Sequence, residues 1–443
     1  MKQHSLLTAP IRRLYLGFLV PTLIAPVSNS LYCLADVYFI SIGSGTMGLA
    51  ALNIVMPMYT FYSAIGLLFG VGASTVIAIE RGGSNTRRAQ QAFTMSALMM
   101  AAISIIMTAL SLFALRPLAC LLGADETLLP YVIEYLRPIV IGTPAFILMY
   151  ASGILLRADD APKLAMFSML IGNLANIVLD YVFVIVLKGG LQGAAIATAL
   201  APLITLLIAS SHFFSPHNRL RFCPIEKGGA LLKRMLANGA GSGIMELAYG
   251  LVILLFNALI LLLGDALFLA AYAIVTNIAY VLKGVFAAFG QAAQPIMSYH
   301  YGARLYPRMQ KTLRFALGIT LACSLLLYLA FFLFCEPLAA LFAGGESIVI
   351  ALGAQGITLY FLSLPFTAYN TVLMYFFQSA ECGFHATLLA FVKGVIFVLC
   401  ALPPLYLLFG ISGIWLAVPL AEAGACLLGY GMYRRLQNGE LYE

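Results

Sequence analysis

Two carboxylates, Asp36 and Asp180, stand in otherwise apolar stretches of this 443-residue chain, and Asn176 precedes Asp180 by one helical turn in "NIVLDYVFV". An acid at the centre of a membrane span costs about 2.5–3.5 kcal/mol to insert, and such acids usually mark ion or proton pathways. With oxygens from Asn176 and Thr198, the two carboxylates offer a site for a proton or a Na⁺ ion, either of which removes the charge. The competing reading has Asp180 bonded to Asn176 or Tyr181 only to fix packing.

The elements that must position these residues follow from composition. Apolar residues make up 62% of the chain and charged residues 9%, with a mean hydropathy of +0.99. So little charge cannot cover a soluble fold of this length, which makes the chain an all-α polytopic membrane protein. The opening "MKQHSLLTAPIRRLYLGFLVPTLIAP" has no small-residue cleavage site, so it is expected to be a retained first helix. A crossing takes about 20 apolar residues. Twelve spans are expected, at 14–40, 47–79, 89–114, 128–156, 163–187, 192–213, 237–263, 268–300, 311–334, 347–378, 386–408 and 412–433. With both termini inside, nineteen of the twenty-four Lys and Arg residues, Lys2, Arg81, Arg219, Lys227 and Arg308 among them, fall on the inner face. The +7 net charge therefore reports topology in an inner membrane and not nucleic-acid binding.

Depth then brings the polar residues together. Asp36, Asp180 and Thr198 fall about five, seven and six residues from the outer ends of their spans, or roughly 8–11 Å deep at ~1.5 Å per residue. Asn176 shares a face with Asp180 through the i,i+4 relation. Pro21 and Pro26 lie in the span of Asp36, and proline frees backbone carbonyls and permits kinks. The charge state of Asp36 is expected to bias bending near Pro26; a static kink is the alternative.

The chain also repeats itself at an offset of 220. "LAALNIV" (49–55) falls on "LAAYAIV" (269–275), and "PLACLLGADE" (117–126) falls on "PLAALFAGGE" (337–346). Two six-helix lobes are expected, 1–214 and 237–443, joined by a basic linker at 215–236. Six is even, so the lobes enter the membrane in the same direction, as in parallel-repeat transporters. At this offset Asp36 falls on Phe256 and Asp180 on Cys400, so neither acid belongs to the shared scaffold.

The second lobe carries Glu246, Lys283, Lys393 and Glu422. Two acids and two bases can neutralise one another, with Glu246 and Lys283 pairing across the seventh and eighth spans. The alternative is a polar substrate site, with Glu246 meeting a cationic compound. Lys393 is expected to snorkel to the inner face, and Glu134 and Arg137 to pair locally at i,i+3. The eight cysteines include no Cys-x-x-Cys pair and read as small core residues. The five histidines, His4, His212, His217, His300 and His385, sit at span ends or outside spans. No Gly-rich phosphate loop ends in Lys-Ser or Lys-Thr, so ATP is not the expected energy source. No nucleophile–base or metal-ligand spacing stands out either, so the chain does not read as an enzyme and no cofactor is expected.

Over essentially its full length the sequence resembles the multidrug and toxic compound extrusion (MATE) transporters. The resemblance rests on "SLYCLADVYFIS" (30–41), "GVGASTVIAIERGGSNTRRAQQAF" (71–93), "NIVLDYVFV" (176–184), "GAAIATALA" (193–201), "AYAIVTNIAYVLKGVFAAFGQAAQPIMSYHYGAR" (271–304) and "GIWLAVPLAE" (413–422). The "QPIMSYHYGA" stretch looks most like the DNA-damage-inducible-type prokaryotic branch. The resemblance implies twelve helices in two lobes and export of varied, often cationic, organic compounds against H⁺ or Na⁺. It also implies a first-lobe cation site at Asp36, Asp180, Asn176 and Thr198, and a bending proline at Pro26. Cys33 stands where the pattern has Asn, and Glu246 only loosely matches an acid that other branches carry in the seventh helix. A monomer in the lipid bilayer is expected, with small organic substrates as its partners. A lipid-linked oligosaccharide flippase is the alternative, though it calls for more basic residues inside the membrane; a passive channel fits the paired halves less well.

Overall fold

The structure is a computed structural model that describes residues 7–216, 218–226, 228–262, 266–343 and 345–439. Lys2, His4, His217, Lys227 and position 263, which closes the seventh expected span, lie outside the described residues. Among those described there is no strand, and ten helices are long and apolar enough to cross a membrane.

The first long helix, α1 (Ile11–Gly82), runs for 72 residues. That is several times the ~30 Å hydrocarbon thickness at ~1.5 Å per residue. Its one non-helical residue is Gly45, at φ 58° and ψ −148°, a region open to glycine for want of a Cβ. Gly45 therefore splits α1 into the first and second expected spans. α2 (Thr86–Phe113) follows, then the short α3 (Leu115–Leu121). α4 (Leu129–Ile141) and α5 (Thr143–Ala158) form one crossing bent by 55°, with proline in the first turn of each. α6 (Pro162–Asp180) continues as a π-helical segment at Tyr181–Val186, and α7 (Gly190–Ser210) returns.

The second half holds α8 (Gly228–Leu262), α9 (Ala266–Gly302), α10 (Tyr306–Leu333), α11 (Cys335–Phe342), α12 (Ser347–Tyr360) and α13 (Leu364–Ser379). α14 (Gly383–Phe391), a π segment at Val392–Ile396 and α15 (Phe397–Phe409) make one crossing, and α16 (Ile411–Gly439) is the last. The bent α4–α5 pair brings the ten crossings to eleven, and splitting α1 at Gly45 makes the expected twelve.

The internal repeat recurs in the backbone. α2 and α10 begin at 86 and 306 and end at 113 and 333; α3 and α11 begin at 115 and 335. Left-handed residues recur at the same offset, Ser84 with Arg304 and Gly190 with Gly410. The chain divides into two compact units, Leu16–Gly239 and Ala240–Glu443, with Pro10–Tyr15 grouped with the second. Residues 228–236, expected within the linker, are the first turns of α8.

In the first unit, the helix ends that carry Arg81 and Asp159 are tied by a buried charge cluster. Arg81 pairs with Asp160 at 2.7 Å and Asp159 at 3.5 Å, and also donates to the carbonyl of Ala158. His212 Nε2 lies 2.8 Å from Asp159 Oδ2, which also accepts the Arg219 N–H at 3.0 Å. Removing one partner of a buried pair strands the other, which costs about 3–5 kcal/mol. Arg81→Met is therefore expected to lower unfolding stability by that order, read by thermal unfolding of the purified protein.

Two local expectations are corrected. Among the described residues no ion pair joins Glu134 to Arg137. Glu134 instead accepts the N–H of Gln192 at 3.2 Å, in the first turn of α7, where helix N–H groups lack intrahelical partners. The cysteines do not fill the core: Cys120 and Cys400 are exposed and the other six half-buried. In a bilayer an apolar side chain meets lipid as readily as its own fold, so an apolar run does not tell core from periphery.

Candidate functional site

α6 shows why its acid is buried. Asn173, Asn176 and Asp180 lie on one buried face, while Leu174, Val178 and Tyr181 point outward and are more than half exposed. That is helical periodicity with the usual polarity inverted, as a lipid-facing helix requires. A Cβ on Gly172 would run into the Thr205 hydroxyl of α7, so glycine there lets α6 and α7 approach closely. Thr198, also on α7, reaches Asp36. The π segment begins at the residue after Asp180, and π-bulges frequently accompany functional sites.

Asp36 is buried on the first arm of α1, and the Thr198 hydroxyl donates to its Oδ1 at 3.2 Å. On α4, the hydroxyl of buried Tyr135 lies 3.2 Å from that of Tyr59. Asp180 lies on the same buried face of α6 as Asn173, the residue that ties α6 to α1, the helix of Asp36. Asn173 donates to Ser28 at 2.8 Å, tying α6 to α1 two residues past Pro26. At Pro26 itself the backbone stays helical.

The decisive observation concerns what Asp180 lacks. Asp180 is fully buried, yet neither carboxylate oxygen has a hydrogen-bond partner among the described residues; the same holds for both amide atoms of Asn176. Asp180 is thus bonded to neither Asn176 nor Tyr181, and the packing reading loses its contact. A desolvated carboxylate with no partner is costly until something neutralises it. A proton or a cation on the oxygens of Asp180, Asn176 and Asp36 would do so, and this donor set fits a hard monovalent ion. Tyr59 and Tyr135 were not singled out in the sequence, where 23 tyrosines give no sign of which of them meet.

Thr198 offers a graded test. Thr198→Val keeps the shape but removes a donor to a carboxylate, a bond worth about 1.5–3 kcal/mol. Loss of that bond is expected to lower the unfolding stability of the purified variant by up to that amount, read by thermal unfolding.

In the second lobe the four charges form two pairs. Lys283 lies 2.9 Å from Glu246, with its Nζ 4.3 Å from the centre of the Tyr249 ring and 5.1 Å from that of Tyr280. Lys393 does not snorkel: it is buried in the π segment, 3.1 Å from Glu422, whose Oε2 accepts from Asn370 at 2.6 Å. The buried acid on α16 offers Lys393 a partner that solvent would otherwise have supplied.

A twofold-repeated helical membrane fold, with acids private to one lobe, defines a multi-pass protein of the transporter class. Consistently, the MatE family model matches residues 21–182 and 242–409, one block in each half, and the chain belongs to that family. A FAD transporter of Shewanella oneidensis is 28% identical, with 98% of this chain aligned to 96% of that one. The multidrug export protein MepA of Staphylococcus saprophyticus is 21% identical, over 96% and 95% of the two chains. Among solved structures, a multidrug resistance MATE family transporter in an outward-facing conformation superposes with a TM-score of 0.91 at 22% identity, covering 100% and 99% of the two chains.

Proposed function

We propose that this protein exports small organic compounds, many of them cationic, in exchange for H⁺ or Na⁺ by alternating access. In this reading Asp36, Asp180, Asn176 and Thr198 hold the coupling ion. The observation that carries it is the buried, unpartnered pair of Asp180 and Asn176 on α6, which Asn173 ties to the helix of Asp36. An ion that enters from one side and leaves to the other relieves that cost in turn, which makes the occupied and empty states energetically distinct. The names of the relatives, multidrug export and FAD transport, support a small organic cargo.

Pro26 supplies the weak point at which α1 bends when the charge on Asp36 changes; full coupled export by Pro26→Ala would contradict this role. The abundance of Lys and Arg in the expected inner loops supports an inner-membrane protein with both termini inside. The flippase alternative gains no support, because Lys283 and Lys393, the lysines away from the ends of second-lobe spans, are each paired with an acid. Transport, and not a chemical reaction, is the activity.

The test is ethidium efflux from proteoliposomes under an imposed H⁺ or Na⁺ gradient. Uphill movement is expected only when one of the gradients is present. Movement that merely equalises ethidium under every condition would make the protein a channel.

A further inference from the structure

In the first unit an apolar cavity of about 470 Å³ lies between α2, α5, α7 and the stretch that follows α7, with Leu98, Leu148, Leu155, Leu206, Phe213 and Phe222 among its walls. Phe93, also in the wall, packs against Phe213 and Phe222 with ring centres 5.9 and 5.2 Å away. Leu98, Phe213 and Phe222 are exposed, so the cavity is a groove that reaches the protein surface. Its volume is about three times the ~150 Å³ that accepts benzene, the scale of a fatty-acyl chain. Its depth fits as well. Leu148 lies ten residues back from Ala158, where α5 ends, which is ~15 Å at ~1.5 Å per residue. That is half of the ~30 Å hydrocarbon core, the reach of one leaflet.

A second cavity of about 450 Å³ lies at the helix ends, lined by Asp159, Asp160, Lys163, Ser215 and Arg219 among others. Buried His212 lines both cavities and so stands at their junction. The chain after α7 serves the two in turn: Arg219 lines the charged cavity, Leu220 and Phe222 the apolar one. The charges at this end do not cancel. Asp159 and Asp160 already share Arg81, at 3.5 and 2.7 Å. Arg219 adds a second cation, 3.8 Å from Asp160, and its Nη1 has no hydrogen-bond partner among the described residues. Lys163 adds a third, exposed and without an ion-pair partner among the described residues. Three cations thus meet two acids. At offset 220, Asp159, Asp160, Lys163 and His212 fall on Ser379, Ala380, Gly383 and Met432, so the charged end is private to this lobe.

We propose that this groove binds an acidic phospholipid from the leaflet on the side of the basic linker, with one acyl chain between α2, α5 and α7 and the phosphate on Lys163 and Arg219. Apolar walls alone accept any lipid, because lipid tails are as apolar as leucine. The surplus cations select an anionic head group, as basic pockets between membrane helices do. The same surplus disfavours a cationic cargo. Lipid binding here does not depend on ion coupling, so this inference and the export reading fail separately.

Phe222→Trp places a fluorescent reporter on the groove wall, and the parent protein, whose one tryptophan is the buried Trp415, serves as the blank. The full-length reporter is reconstituted in phosphatidylcholine vesicles that carry phosphatidylglycerol or phosphatidylcholine dibrominated on the acyl chains, since bromine quenches tryptophan on contact. Brominated phosphatidylglycerol is expected to quench at an about fivefold lower mole fraction than brominated phosphatidylcholine, the order that one basic residue near the membrane surface supplies. Lys163→Gln, a change at an exposed side chain, is expected to cut that preference at least by half, and adding Arg219→Gln to abolish it. Where the second change prevents folding, Lys163→Gln carries the test alone. Ala97→Phe with Ala101→Phe fills the groove and is expected to lower quenching by either lipid. Ethidium, or inorganic phosphate at constant ionic strength, is expected to leave the quenching unchanged. Equal quenching by the two lipids in the reporter would overturn the proposal, as would a preference that survives Lys163→Gln undiminished. Relief of quenching by ethidium would overturn it in favour of a cargo site, and relief by phosphate in favour of a site for free anions.

Discussion

Asp180→Asn is expected to abolish ion-driven export, bringing uphill ethidium movement down to that of protein-free liposomes, while leaving the protein folded. Asparagine has nearly the shape of aspartate but neither takes up and releases a proton as a carboxylate does nor carries the charge that holds Na⁺. The stability expectation runs the other way from most substitutions in a buried site. Asp180 has no hydrogen bond to lose among the described residues, and an amide avoids the desolvation of a carboxylate. The melting temperature of the purified variant should therefore match or exceed that of the parent. Loss of transport together with a large loss of stability would mean that Asp180 is structural. Asp36→Asn is expected to lose coupling equally, with less gain in stability, because Thr198 already satisfies one of its oxygens.

The second large effect belongs to Lys393. Lys393→Met leaves Glu422 charged and buried with Asn370 as its remaining side-chain partner among the described residues, which is expected to cost about 3–5 kcal/mol. Replacing both, Lys393→Met with Glu422→Gln, removes the stranded charge and should return stability to within about 1 kcal/mol of the parent. Thermal or denaturant unfolding of the two variants reads the difference, and non-additivity is the signature of a coupled pair. Equal losses in the single and double variants would show that the two side chains do not depend on each other.

How much of this was legible in the sequence depended on which physical signal each feature leaves. The spans were, because a bilayer demands long apolar runs and the 220-residue offset marks each one twice. The break at Gly45 fell between two expected spans even though the helix continues across it. Asp180 and Asn176 could be placed on one face because i,i+4 is fixed by helix geometry. Thr198 could be placed only by depth, and its bond to Asp36 depends on how α1 and α7 meet, which sequence spacing does not encode.

Misreadings arose where a long side chain had a choice of partner. Lys393 was expected to reach solvent and instead meets Glu422 on a helix nearly thirty residues further along the chain. Glu134 had Arg137 within one turn, but the unpaired N–H of Gln192 took it. Nor does the sequence announce the π segments, although one follows the buried Asp180 and the other contains the buried Lys393.

The central claim is that ion and cargo exchange through the acids of the first lobe. It is tested most directly by running the exchange backwards. In proteoliposomes at equal pH and Na⁺ on both sides, a gradient of ethidium alone should drive H⁺ or Na⁺ in the opposite direction through the parent protein, since antiport couples the two flows whichever supplies the gradient. Asp36→Asn and Asp180→Asn should show no ion movement. Ethidium that flows without any counter-movement of ions in the parent, or ion movement that persists in both variants, would contradict the account.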